Sequence, residues 1–375
     1  MPTALIISAS TLASDPRVRR HIDALKGHFA VTAAGFGTVA LPDVEVVTIA
    51  PPPSGSYARK LMQRSGLVTR RFEWYYWRLP YIRQAVKLLS GRRYTSILAN
   101  DVQTLPLAVR LAERTGARLV FDAHEHAVRQ FEDLWLWRTF IRPYHHYILA
   151  TYLPHVHAMT TVSQGIADAY HREYDVDCQV LTNASQYVEL QPSPTRDDRI
   201  RLIHHGGATP SRRLETMIEA MSNVDARFSL DLMLVPTSRD YLARLIRLAE
   251  SHPNVAFREP VALSDIPSTL NTYDVGVYTL PPLNFNQQHA LPNKLFEYVQ
   301  ARLAVAIGPS PEMARVVNKH GFGAVASDFT PRGLADTLNA LSGDDIREMK
   351  HRAHTAAASI NADKNAHMLL ELMSR

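Results

Sequence analysis

Short β-rich runs alternate with amphipathic helical ones along almost the whole chain, and the alternation breaks once and then restarts. Such a chain folds as parallel sheets covered by helices, because each strand returns through a helix to lie beside an earlier one. In the first half, strands are expected at ALIISA, FAVTAAG, VEVVTIA, SILAND, RLVFDAH and AMTTVS, with helices over 17–25, 104–113 and 164–173 and a closing strand at QVLTNAS. QYVELQPSPTRDDR then joins two prolines to mixed charge without an apolar period, which reads as a linker. Strands resume at RLIHHGG, SLDLMLVP, VAFRE, DVGVYT, LAVAIG and GAVAS, and a helical tail follows from 342. Two doubly wound α/β units of similar size, with a cleft between them, are the expectation. Their division is 1–185, a linker 186–200, 201–355 and a last helix 356–375.

The 375 residues are 46% hydrophobic, enough for two large cores. A net charge of +5 suits an anionic partner, whether phosphate esters, an acidic membrane surface or nucleic acid. Cys178, the single cysteine, forms no internal disulfide or cysteine metal cluster and fits a reducing, cytoplasmic setting. MPTALIISAS lacks a basic leader and a cleavage-like site, so it reads as a first strand, and no stretch has the apolar length of a spanning helix. Residues 56–90 mix six arginines and two lysines with Trp74, Tyr75, Tyr76 and Trp77. Such a stretch either lies on an anionic membrane, at the inner face of the plasma membrane, or packs its aromatics within its own domain. No nucleic-acid-binding module accompanies it, and no nucleic-acid partner is expected.

Several motifs carry little chemistry. Gly35 and Gly37 form a lone GxG with no helical pattern behind it, and no phosphate loop of the Walker type occurs. Asp175 and Asp177 fall between a helix end and a strand, where aspartates make turns. The histidine pairs 145–146, 155/157 and 204–205 lack the i, i+4 spacing of a zinc site, so no metal is expected.

Chemistry concentrates just past the carboxyl ends of strands, where open α/β sheets place ligands. SASTLASDPRVRRHIDAL enters a helix with Asp15 as its cap and Arg17 behind it. ANDVQTLPLA places Asp101 beyond a strand, and FDAHEH does the same for Asp122, His124 and Glu125. HHGGATPSRRLETM sends Gly206 and Gly207 out of a strand toward Arg212 and Arg213 at a helix start. There the backbone can approach a ligand closely, the helix N-terminus favours an anion, and Arg212 offers a planar fork of donors. LPNKLFEY is odd as a plain helix opening. Pro292 suits the first position, but Lys294 sits where the helix dipole is already positive, with Glu297 after it. Those placements make sense if a diphosphate meets Lys294 and Arg212 while Glu297 accepts from two ribose hydroxyls. The alternative is a surface ion pair at 294/297 and a solvated Arg212.

SDPRVRRHIDAL, FDAHE, TTVSQGIADAY, VLTNAS, GGATPSRRLETMIEAM and LPNKLFEYVQARLAVAIGPSPEM, in this order, resemble the retaining glycosyltransferases of family 4, which have the GT-B fold. The last two are specific and the others individually weak. The resemblance implies two Rossmann-like domains facing across a cleft, with a final helix crossing back to the first. It implies a nucleotide-sugar donor, uridine or guanosine diphosphate-linked, on the C-terminal domain. A sugar, lipid-linked or small-molecule acceptor would occupy the N-terminal one, and transfer would need no metal. By position, Arg212 and Lys294 match the phosphate contacts, Glu297 the ribose glutamate, His124 the histidine near the transferred sugar and Asn183 the hinge residue. Asp101 falls in the acceptor-side loop, and Glu125 and His124 would orient sugar or acceptor. The sugar-contacting glutamate of the family is replaced here by His289, and the glycine that often follows the basic residue by Arg213. Rival readings are an epimerase or hydrolase of the same fold, which needs no acceptor, and a non-catalytic subunit, which binds nucleotide weakly or not at all.

Overall fold

The computed structural model describes residues 1–52 and 66–375. They form two compact units, one of residues 1–182, 284–286 and 365–375, the other of 183–283 and 287–364. The first holds a seven-stranded parallel sheet of β1 (Thr3–Thr11), β2 (Ala30–Phe36), β3 (Val44–Ile49), β4 (Ser96–Asn100), β5 (Arg118–Asp122), β6 (Ala158–Thr161) and β7 (Cys178–Val180), in the order 3-2-1-4-5-6-7. The second holds β8 (Ile200–Gly207), β9 (Phe228–Val235), β10 (Val255–Arg258), β11 (Val275–Tyr278), β12 (Ala304–Ile307) and β13 (Gly323–Val325), in the order 10-9-8-11-12-13. In each sheet the order reverses beside the unit's first strand, between β1 and β4 and between β8 and β11. That switch opens a crevice at the carboxyl ends of those strands.

The strands are buried on both faces, so they read as near-continuous apolar runs. Leu5 and Ile7 belong to one core layer of the first sheet, and Ala4 and Ile6 to the other. In the second sheet Leu202 and Val275 face one layer, Ile203 and Val305 the opposite one. Asp15 caps the helix Pro16–Leu25, its carboxylate accepting from the N–H of Arg17 at 3.0 Å and of Val18 at 3.1 Å. Asp175 ends the helix Gln164–Tyr174 in the left-handed conformation, as the turn reading requires.

Three local expectations shift. QVLTNAS supplies only two strand residues, Gln179 and Val180, because β7 is an edge strand that starts at Cys178 and whose pairing with β6 ends at Val180. The linker has no regular element from 186 to 195, yet it is bound to the second unit. The buried guanidinium of Arg302 donates to the carbonyls of Val188 (2.6 Å) and Leu190 (3.1 Å), and Lys350 Nζ donates to Ser193 Oγ at 2.9 Å. The tail splits into helices Gly343–Ala357, opened by a capping box at Ser342, and Ala362–Ser374. The second of these places Leu369, Leu372 and Met373 in the core layer that contains Ala4, Ile6, Leu98 and Val120.

Candidate functional site

In the second unit the candidate residues gather around the end of β8. Gly206 has φ +112, a conformation that side chains rarely adopt. A Cβ there would lie 2.7 Å from Lys294 Nζ and 3.8 Å from Arg212 Nη1, so both cations reach over this bare stretch of backbone. Arg212 Nη1 also donates to the carbonyl of Gly207 at 3.1 Å. Lys294 is 8% exposed, which removes the surface-ion-pair reading, and its ammonium stands 5.4 Å from the centre of the Tyr278 ring. Among the described residues, neither cation pairs with a carboxylate within ion-pair distance. Burial and then the nearby Arg212 pull the Lys294 ammonium down to about 7, against the opposing pull of Glu297.

Pro292 stands at the N-cap (φ −74, ψ 151), so the helix runs Asn293–Gln300 and Lys294 is its second residue. Proline offers no side-chain cap; the N–H of Leu295 donates to the carbonyl of Pro292 at 3.1 Å, and the N–H groups before it have no side-chain cap. Glu297, one turn on, faces His205, with Oε2 3.3 Å from Nε2. Burial first, then Lys294 and Arg212, lower the His205 imidazole to about 3, so it remains neutral beside that carboxylate. Asn183 donates to the carbonyl of Leu291 at 3.3 Å and so ties the entry to this helix. The helix expected to start near Arg212 begins later. Pro210–Arg212 make a 3-10 turn, Arg213 turns left-handed (φ 50), and the helix covers only Glu215–Ala220. The second dipole therefore drops out and Arg212 acts through its side chain.

His289 faces a second carboxylate. Its Nδ1 is 3.5 Å from Oε1 of Glu312, a 3% exposed carboxylate side chain that Arg315 also reaches at 3.2 Å. Sequence reasoning missed Glu312 and Tyr278. The signal for Glu312 was the Pro-Glu after LAVAIGPS, an acid in the first turn of the helix Pro311–His320.

In the first unit, Asp101, Asp122 and His124 converge beyond β4 and β5. His124 Nδ1 is 3.3 Å from Asp101 Oδ1, and its Nε2 is 3.1 Å from Asp122 Oδ2. Asp101 (φ +66) and His124 (φ +53) both hold left-handed backbone without being glycine, a local strain typical of functional loops. Burial opposes charge on His124, but Asp101 and Asp122 outweigh it, and its pKa is raised. Asp122 is the centre of this cluster. Arg17 donates to it in a fork, Nε to Oδ2 and Nη2 to Oδ1, both at 2.6 Å, and Thr160 Oγ1 donates at 2.7 Å. Arg17 is thereby committed inside the domain and does not serve as a ligand in its loop. His21 Nε2 stands 3.8 Å from Asp122, and its Nδ1 is 3.0 Å from Asn100 Oδ1. Glu125 is exposed, and the Asn286 amide reaches its Oε2 at 3.5 Å. The loop thus gives His124 to the cluster and Glu125 to solvent.

The described part of the basic aromatic stretch packs its aromatics within the unit. Tyr76 is 1% exposed and donates to the carbonyl of Gln103 at 3.0 Å, while Tyr75 and Trp77 pack against the core. Trp74 is the exposed ring, with the Arg78 guanidinium 4.3 Å from its centre. The portion of this stretch from 56 to 65 lies outside the described residues. No described helix is long and apolar enough to cross a membrane.

Residues 38–184 match the family described as glycosyl transferase 4-like domain. No curated protein matches the chain. Solved structures do, over essentially all of both chains. HepE of Anabaena, in complex with UDP and glucose, superposes with a TM-score of 0.73 at 14% identity, covering 100% of each chain. Sucrose-phosphate synthase of Thermosynechococcus elongatus gives 0.73 at 13% identity, covering 99% of this chain and 98% of that one. A UDP-forming α,α-trehalose-phosphate synthase of Burkholderia xenovorans, in complex with glucose-6-phosphate, gives 0.71 at 14% identity and 100% of each. With two doubly wound parallel sheets and this shared architecture over its whole length, the chain has the GT-B fold, and its residues 38–184 are similar to the glycosyl transferase 4-like domain.

Proposed function

We propose that the protein transfers a glycosyl group from a uridine-diphosphate sugar to a hydroxyl acceptor, with retention of configuration and without a metal ion. The observation that carries the reading is the pair of cations, Lys294 and Arg212, that reach over the bare backbone of Gly206 with no carboxylate within ion-pair distance among the described residues. HepE was solved with UDP-glucose and with UDP, and a trehalose-6-phosphate protein of E. coli with UDP-2-fluoro glucose, which favours uridine.

As the bond from the anomeric carbon to the diphosphate lengthens, positive charge grows on the sugar and negative charge on the leaving phosphate. Lys294, Arg212 and the first-turn N–H groups of Asn293–Gln300 meet that negative charge where it develops. Glu297, held beside a neutral His205, accepts from the ribose hydroxyls. His289, backed by Glu312, stands in for the sugar-contacting glutamate and sets which sugar is taken. On the first unit, His124 between Asp101 and Asp122 positions the acceptor hydroxyl, with Glu125 at the solvent side. With retention, that hydroxyl attacks from the face the phosphate leaves, and the phosphate oxygen takes its proton.

The test is thermal shift and calorimetry with a panel of nucleotide sugars, followed by mass analysis of products. Uridine-linked donors should bind, and Arg212→Ala or Glu297→Gln should weaken them about 10- to 100-fold, the loss of one charge-assisted contact. Absence of binding by every nucleotide, or binding indifferent to both variants, overturns the reading.

A further inference from the structure

The aromatic side chains that residues 66–90 turn inward are replaced on the surface by others, in a segment with no role in either candidate site. Phe131, Leu134, Trp135 and Leu136 are 46%, 53%, 63% and 63% exposed, a concentration of large apolar side chains not matched elsewhere among the described residues. They precede a π-helical turn, Trp137–Ile141, which leads into the helix Arg142–Tyr152. Trp137 turns inward at 9% exposure, its ring 5.8 Å from that of His145, and so anchors the segment while Leu134 to Leu136 stay outside. Trp135 meets Phe140 edge-on at 6.4 Å and Phe131 meets Trp137 at 6.2 Å, so the exposed rings are held in place by packing.

Charge surrounds this apolar tip. Arg138, Arg142 and Arg172 are exposed, and among the described residues none has a carboxylate within ion-pair distance. Arg138 donates only to the carbonyl of Glu132, at 2.7 Å. Arg129 pairs with Glu173, the neighbour of Arg172 in the helix Gln164–Tyr174, and Arg142 opens the helix Arg142–Tyr152 that follows the apolar tip. Of the nearby acids, Glu132 accepts from the N–H of Phe285 at 2.8 Å and Glu173 pairs with Arg129, and Asp133 is exposed.

We propose that residues 131–142, with Arg172, form a docking surface for an anionic lipid bilayer. Leu134, Trp135 and Leu136 enter the interfacial layer and the unpaired arginines meet headgroup phosphates. Leucine and tryptophan beside cations match both layers of such an interface. A stable protein interface buries about 800 Å² on each partner, more than four side chains offer, which argues against a protein as occupant. The surface is independent of the donor site, so its failure leaves the transferase reading untouched.

The full chain is tested by sedimentation with vesicles of phosphatidylcholine alone and with roughly a quarter phosphatidylglycerol. Salt-sensitive binding to the anionic vesicles is expected, reduced about tenfold or more in Leu134→Ser/Trp135→Ser/Leu136→Ser and weakened in Arg138→Gln/Arg142→Gln. Both variants should melt like the parent, since the altered side chains are exposed. Trp74→Ser separates this surface from the 56–90 stretch and should bind unchanged. Failure to bind anionic vesicles, or binding indifferent to the triple variant, overturns the proposal. So does a parent dimer that the triple variant converts to monomer without any vesicle binding.

Discussion

Diphosphate binding should take up a proton, and the source is Lys294. With its ammonium at about 7 in place of the ordinary 10.5, roughly nine tenths of the free protein at pH 8 holds a neutral amine there. A diphosphate beside it favours the charged form, and two negative charges within a few Å are enough to lift the pKa by about 2 or more. Calorimetry of UDP binding at pH 8, in buffers of different ionisation enthalpy, should therefore show uptake approaching one proton. UDP affinity should fall about tenfold per pH unit between roughly 7 and 9. Neighbouring groups do not imitate this signal: burial holds His205 at about 3 and His204 well below its ordinary value, and it raises Tyr278. Lys294→Met should abolish both effects. The same substitution should stabilise the unliganded fold near neutral pH. A lysine depressed in the folded state is protonated in the unfolded chain alone between about 7 and 10.5, so stability rises with pH through that window and is lowest below it. Relief of that burial cost outweighs the lost packing and the lost Tyr278 contact, for a net gain of about 1 to 3 kcal/mol. No proton uptake at pH 8, or an affinity flat from pH 6.5 to 9, would refute the reasoning.

Gly206→Ala should cost about 1 to 2 kcal/mol and remove UDP binding, because φ +112 strains any side chain and the new methyl group meets Lys294 Nζ; melting temperature and calorimetry read the two effects. Asp122→Asn should destabilise by about 3 to 5 kcal/mol, since it strands Arg17 in the interior, and Asp122→Asn/Arg17→Met should recover part of that loss in denaturant unfolding. Arg17 and His124 hold the Asp122 carboxyl well below its ordinary 3.8, against burial. Its contribution is thus present above about 3.8 and lost as pH falls toward the folded value, so parent and Asp122→Asn should converge in stability in strong acid.

The double alternation was legible because parallel strands buried on both faces leave apolar runs of a fixed length, and the helix at 293–300 because Pro292 marks its start and Leu295, Phe296 and Val299 form its buried stripe. Arg17 illustrates what was not legible. A basic residue one turn into a capped helix reads the same whether it waits for a ligand or reaches Asp122, 105 positions away. The helix after Gly207 was placed too early because nothing local distinguishes Arg213 in a left-handed turn from Arg213 in a first helical turn. Glu312 escaped notice because an acid at a helix start is ordinary, and its burial against His289 appears only once the chain has folded.

The chain closes its first core with its last residues. Leu369, Leu372 and Met373 complete the layer around Ala4, Ile6 and Val120, the Asn365 amide donates to the carbonyl of Thr182 at 2.8 Å, and Ser96 donates to the carbonyl of Met373 at 2.7 Å. During synthesis the first unit therefore emerges from the ribosome with one face of its sheet covered by the helix Pro16–Leu25 but still lacking Leu369, Leu372 and Met373, and the gap stays until the whole second unit has been translated. Part of that apolar layer waits in the open for the interval, so nascent chains halted before residue 365 are the ones that should need chaperones most.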